Sequence, residues 1–509
     1  MADIEPREIR ELFTNDTDEW ASIRSEGQKD MRFVSGKPWE EADVADRKQA
    51  GRPCLAPDEL GQYVNQAIND VRQNKRGITV TPTGRGANDV TAAFRQGKIR
   101  DIEYRSNAQQ AYMTMYENAV QRSYGYLRIV SRYTRDRVET PDPSDMDMEL
   151  RIEPVVNPDM VTPDPYAIRT DFSDGTRLFY RESWSKDDFK RRWKKSAAGR
   201  DFSTLSEVGE DWVSHDRVQV SEFWRKELAR QRKLLLIAPP PPPTQRGVSL
   251  NLNAPEPQPI AIFEDELPKG LSHEVLRSRT VDDYQVCKYL TNGLEILEKT
   301  EWPGLSIPFV SCFGKVLYVD SGKGSRRQIL SLVRLARDPY MLYCYYMTCV
   351  AELIGMTPKF PYFVYKGQLD KEALKDLQRS LHQPVAVIQV EPVLDDTGNQ
   401  VLGMPQRQPY EPPIQALTIG AEAARRAIQA AMGISPLPTE AQARSQKSGK
   451  ALQRIEESGQ RGTFHFVDHY DDAIIRTGTI LDELIPHYYD TPRETSVRKP
   501  DESIAMVRI

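Results

Sequence analysis

His465 and His469 stand four residues apart with Asp468 between them, the helical spacing that turns two imidazoles to one side and could hold a metal. A hydrolase would use such a pair to activate a bound water. The glutamate of the HExxH pattern is missing, the next imidazole, His487, lies turns away, and the chain has only 6 histidines in 509 residues. The competing reading is a surface helix carrying polar rings. Phosphate loops fare worse: in Gly322-Lys323-Gly324-Ser325 a glycine separates the lysine from the serine, and Thr83-Gly84-Arg85-Gly86 is too short for a dinucleotide fingerprint. With no GxSxG elbow either, no catalytic, cofactor or metal residue is assigned.

Cations form a clearer pattern. Lys323, Arg326, Arg327, Arg334 and Arg337 occur with no acid among them, and on one continuous helix they would share an arc of roughly 100°. Such a stripe could face phosphates or an acidic partner, or could be a solvated or ion-paired face. A second group, Lys186, Lys190, Arg191, Arg192, Lys194 and Lys195, surrounds Phe189 and Trp193 and reads as a surface helix anchored by two rings. Residues 326–355 are expected to form the most hydrophobic helix of the chain, with Tyr340, Tyr343, Tyr345 and Tyr346 on different faces. Tyrosines placed so suit a subunit interface, since each ring buries area while its hydroxyl finds a partner.

The elements that must position these groups follow from periodicity. Helices are expected over 1–50, over 58–73 on Leu60, Val64, Ala67, Ile68 and Val71, over 107–122, over 185–197 with Ser185 as cap, over 371–381, and from Pro413 to Gly433. Residues 439–490 read as mainly helical. Strands are expected at 78–82, 124–133, 149–153, 218–224 and 307–313. A hairpin over 277–301 turns at Asn292-Gly293. Pro239 to Pro243 and the prolines that follow, up to about residue 260, form an extended excursion. The fold class is α+β.

Composition sets the bounds. Lys and Arg number 69 against 74 Asp and Glu, a formal charge of -5, which argues against a protein that holds nucleic acid by bulk positive charge. Prolines number 36, about 7% of the chain against roughly 5% ordinarily, and imply long ordered arms. Five scattered cysteines without a CxxC argue for a reducing compartment. No signal segment or membrane-spanning run is read, the longest apolar stretch being Met341 to Ala351.

In this order, several segments resemble the portal, or head-to-tail connector, proteins of short-tailed double-stranded DNA bacteriophages. They are Arg52 to Pro82, Tyr116 to Tyr133, Ile152-Glu153-Pro154, Asp164-Pro165, Asp171 to Trp193, Val218 to Trp224, Pro303 to Val310, Val333 to Pro358, and Ser448 to Gln453 through Phe466 and Asp468. The likeness spans about residues 5–490. It implies a homo-oligomeric ring of twelve at one capsid vertex, through which double-stranded DNA is packaged and ejected. The implied partners are the terminase large subunit, a head-completion or tail adaptor protein, and the major capsid and scaffolding proteins, with no enzyme activity, cofactor or membrane. It further implies a wing over 1–224, a clip over 225–315 that includes the proline-rich 238–260, a stem helix over 316–360, a channel loop and wing return over 361–413, and wing or crown helices over 414–509. Longer members carry a helical crown and barrel after the region matching 490, so the expectation for these 509 residues is a portal-type fold without the barrel, either lacking it or as a shortened product.

Overall fold

The computed structural model describes residues 4–83, 88–134, 142–196, 212, 217–237, 259–267, 275–320, 325–356, 362–363, 370–380, 406–407, 413–433, 464–490, 494–499 and 501–508. The proline run, most of 361–413, and the Ser448 to Gln453 segment lie outside these.

Five helices open the chain: α1 (Pro6–Val34), α2 (Glu41–Gln49), α3 (Gly61–Gln73), α4 (Asp89–Arg105) and α5 (Ala108–Arg122). Helix α1 buries Ile9, Phe13, Asp16, Trp20, Gly27 and Asp30, steps of three, four and seven that keep one straight stripe along it. Gly27 allows the crossing with α5, because a Cβ there would lie 2.7 Å from the Arg122 carbonyl oxygen. Helix α3 buries the expected Val64, Ala67, Ile68 and Val71. Helix α4 has no counterpart in the periodicity reading. Its start is marked by Asn88, whose side chain accepts from the Val90 amide.

Two antiparallel sheets follow. Their strands are β1 (Tyr124–Tyr133), β2 (Met148–Pro154), β3 (Val161–Pro163), β4 (Arg177–Ser185), then after α6 (Lys186–Arg192), β5 (Arg217–Ile237), β6 (Ile260–Phe263), β7 (Val275–Thr291), β8 (Ile296–Trp302) and β9 (Phe309–Phe313). The smaller sheet is ordered β2-β1-β9 and the larger β3-β4-β5-β7-β8, with β6 on β5. Ser185 caps α6 as expected, accepting from the Asp188 amide. Strand β5 is three times the length expected and runs through residues 224 and 225, paired to β7 from Ser221 to Ile237 with register shifts at Leu228/Arg230 and Leu236/Ile237. Its outer half is held by charge: Arg232 meets Asp265 and Glu266 at 2.8 and 2.7 Å, and Arg230 meets Asp283 at 3.3 Å.

After a hairpin of β10 (Lys315–Asp320) and β11 (Ser325–Leu330) comes the hydrophobic helix α7 (Arg337–Met356), then β12 (Tyr362–Phe363), α8 (Lys371–Ser380), β13 (Gln406–Arg407), α9 (Ile414–Met432) and α10 (Phe464–Tyr488). Helix α9 stops at Gly433, which takes the left-handed conformation at φ 64°. A last hairpin, β14 (Glu494–Arg498) with β15 (Ile504–Arg508), stands where only helices were expected.

The strand expected at 78–82 does not form. Ile78 and Val80 are half-buried while Thr79 is exposed, so the alternation is real. It is satisfied against α10 instead of a strand, where Gly478 leaves room: a Cβ there would sit 2.7 Å from Ile78 Cγ2. The main core lies among α3, α4, α5, α7, α9, α10 and the smaller sheet, and includes Tyr112, Tyr116, Leu127, Val333 and Leu481. All five cysteines are free thiols. Among the described residues no helix is long and apolar enough to cross a membrane.

Candidate functional site

The five cations do not share a helical arc. Lys323 lies outside the described residues, Arg326 and Arg327 are on strand β11, Arg334 is in a single 3₁₀ turn, and only Arg337 begins α7. The reason is the β10–β11 pairing, which sets Val316 opposite Ile329 and Tyr318 opposite Arg327 and so carries the chain to residue 330 in extended form. Arg326 is exposed. Arg327 turns inward, donating to the Ala167 carbonyl at 2.6 Å with its guanidinium 4.9 Å from the Trp20 ring centroid.

Arg334 and Arg337 are closed off by α1. Arg334 donates to both Asp30 oxygens, from Nε at 2.9 Å and from Nη2 at 2.7 Å, and Asp30 is fully buried. The Ser331 hydroxyl donates to the same carboxylate at 2.8 Å and accepts from the Arg334 amide. Arg337 donates to Glu26 at 2.5 Å. Burial pushes the Glu26 carboxyl up, but hydrogen bonds from Lys29 and Arg337 and the charges of Arg337 and Arg334 outweigh it and hold the group at about 2. Two of the five cations are thus spent on carboxylates some 300 positions earlier in this chain. The sequence carried a signal for this: Asp16 and Asp30 sit on the apolar stripe of α1, where a carboxylate needs a buried partner. Asp16 finds Arg177 at 2.7 Å.

The tyrosines divide. Tyr340, 1% exposed, donates to the Pro57 carbonyl at 3.1 Å, and Tyr343 donates to Glu59, which also receives Arg425 from α9 at 3.1 Å. Both are therefore occupied inside the subunit, where an interface role was expected. Tyr346 packs over Gly420 of α9. Tyr345 points outward at 48% exposure, accompanied by Leu342 at 46% and Ile354 at 57%. On α9, Ile419 is 68% exposed.

The two histidines meet different surroundings. His469 Nδ1 lies 2.9 Å from the Phe313 carbonyl and 3.1 Å from that of Gly314, so its ring ties α10 to the end of β9, while His465 and Asp468 are exposed. Among the described residues no group of three metal-ligating side chains comes together.

A cluster that periodicity did not reveal joins α4 to the last hairpin. Lys98, 1% exposed, donates to Asp101 at 3.1 Å and to the Thr495 hydroxyl at 2.9 Å, and sits 4.4 Å from the Tyr489 ring centroid. The Ser496 hydroxyl donates to Asp101 at 2.8 Å. Burial draws the Lys98 ammonium below its ordinary value, opposed by the Asp101 charge and hydrogen bond.

What the geometry offers is therefore a chain in which Asp16, Asp30, Lys98 and Asp101 are buried and paired internally, with exposed apolar side chains at Leu342, Tyr345 and Ile354 on α7 and at Ile419 on a face of α9 otherwise polar at Gln415, Glu422, Arg425 and Arg426. The family model of phage P22-like portal proteins matches residues 10–509.

Proposed function

Because this chain belongs to the phage P22-like portal protein family, we propose that copies of it close into a ring of twelve at one capsid vertex, through which double-stranded DNA is packaged and later ejected. The observation that carries this reading is the family match over nearly the whole chain. In the packaging state the ring docks the terminase large subunit, and afterwards a head-completion or tail adaptor protein, seated among major capsid and scaffolding proteins. The wing takes 1–224, the clip 225–315 with β5 and β7 as its arms, and the stem 316–360. The channel loop and wing return take 361–413, and the closing wing or crown 414–509. A near-balanced charge suits a pore in which DNA slides, since each cation–phosphate contact adds affinity and hence friction.

A closed ring uses heterologous contacts, two different faces of each subunit meeting around the axis. The exposed residues of α7 (Leu342, Tyr345, Ile354) and of α9 (Ile419) supply apolar material for them. Negative-stain images and native mass of the purified chain are expected to give closed rings; a stable monomer under assembly conditions, with no ring in particles, overturns the proposal. The double variant Leu342→Asp/Tyr345→Asp is expected to remain folded by circular dichroism and to lose ring formation by tenfold or more, as desolvated charges would in an apolar contact. Rings formed at wild-type yield would remove α7 from the interface.

A further inference from the structure

The α4–α5 junction carries a charged feature that none of the above uses. Two adjoining cavities of about 400 and 490 Å³ meet at Asn107 and Gln109. Arg76, Arg100, Arg498 and Lys499 line the first, and Arg72 and Lys75 line the second. Against these six cations the walls offer three acids, Glu103, Glu117 and Glu502, and two more stand beside them: Asp471 at Arg76 and Asp501 within reach of the Lys499 charge. Some cations are engaged: Arg72 with Glu117 at 3.0 Å, Arg76 with Asp471 at 3.0 Å, and Arg498 over the Tyr104 ring at 3.6 Å. Among the described residues, Lys75, Arg100 and Lys499 have no carboxylate within ion-pair distance. Three elements distant in sequence bring these cations together, in a chain whose net charge is -5.

We infer that this groove binds the sugar–phosphate backbone of duplex nucleic acid, without reading sequence. Cations and neutral amides converge on it, the combination that grips phosphate and sugar oxygens. Single strands call for free aromatic faces on which bases stack. Here Tyr112 is buried and Tyr104, 67% exposed, has one face covered by Arg498, so the lining offers one open ring face where successive stacked bases need several. The portal reading enters only in naming DNA as the duplex at hand.

The test measures fluorescence anisotropy of a labelled random-sequence 30-base-pair duplex with the full chain across a salt series. The variant Arg100→Glu/Lys499→Glu is compared with Arg191→Glu/Lys194→Glu, an equal charge change on and beside α6. The groove variant is expected to lose tenfold or more in affinity at low salt, and its log–log salt slope to fall by about 0.9 for each phosphate contact removed. The α6 variant should bind as wild type does. Since Arg100 is half-buried, Lys75→Glu/Lys499→Glu, both exposed positions, supplies a second variant whose folding is not at risk. Equal losses at both sites, no loss at the groove, or competition by polyglutamate as strong as by unlabelled duplex would overturn the inference. Ring formation is scored in the same samples: absence of rings with groove binding intact speaks against the portal reading alone.

Discussion

Asp30→Ala is expected to destabilise the folded chain by about 3 kcal/mol, the lower end of the range for breaking a buried ion pair. The low end applies because Arg334 is left 12% exposed and still lies 3.6 Å from Glu26. Its Nε and Nη2 lose their shared acceptor, and so does the Ser331 hydroxyl. Hydrogen exchange of the α1 amides should quicken with the loss, since the carboxylate ties that helix to the chain entering α7. The double variant Asp30→Leu/Arg334→Met removes both charges and should recover most of the loss. A single variant within 0.5 kcal/mol of wild type would mean that Ser331 and water replace the pair. Glu26 adds a pH signature. Its folded value is held at about 2, below the ordinary 4.5, so its contribution is complete above pH 4.5 and drains away as pH falls toward 2. Glu26→Gln should flatten that part of the acid-unfolding profile, measured by circular dichroism; an unchanged profile would put the acid sensitivity elsewhere.

Lys98→Met is the second large effect. Among the described residues it leaves Asp101, 2% exposed, with the Ser496 hydroxyl and Arg105 at 3.3 Å. The Thr495 hydroxyl loses its donor as well. About 2–3 kcal/mol is expected, below the full cost of an orphaned buried charge because Arg105 remains. The damage should be local. Amide exchange over β14 and β15 is expected to quicken by tenfold or more while the smaller sheet keeps its protection, since Lys98, with Asp101 and Arg105, fastens α4 to that hairpin. Uniform loss of protection, or none at the hairpin, would show that Lys98 does not hold it. Asp101→Asn should give a milder version of the same pattern, retaining a shape that Ser496 can still bond.

The elements legible in the sequence were those whose signal is local. Strand β1 shows in Tyr124 to Tyr133, the β7–β8 turn in Asn292-Gly293, the α6 cap in Ser185, and the limits of α9 in Pro413 and Gly433. The cationic stripe failed because its first described members, Arg326 and Arg327, lie on β11, which the pairing with β10 holds extended, and spacing along the chain does not reveal that partner. The histidine spacing was sound, for α10 is a helix, but a helix face says nothing of what lies opposite, and opposite His469 lie two backbone carbonyls.

The order of segments over the chain was enough by itself to place it in its family, since that order reflects short-range patterning repeated along nearly 500 residues. Composition likewise bounded its class. What only the tertiary structure decided is which charges and rings are available. Arg334 and Tyr340 look as free in the sequence as Arg100 and Tyr345. Burial depends on what arrives from elsewhere in the chain: Asp30 reaches Arg334 across 304 positions and Pro57 reaches Tyr340 across 283. Desolvation and pairing are set by those arrivals, so the groove at the α4–α5 junction came into view only when 72–76, Arg100 and the last hairpin met in space.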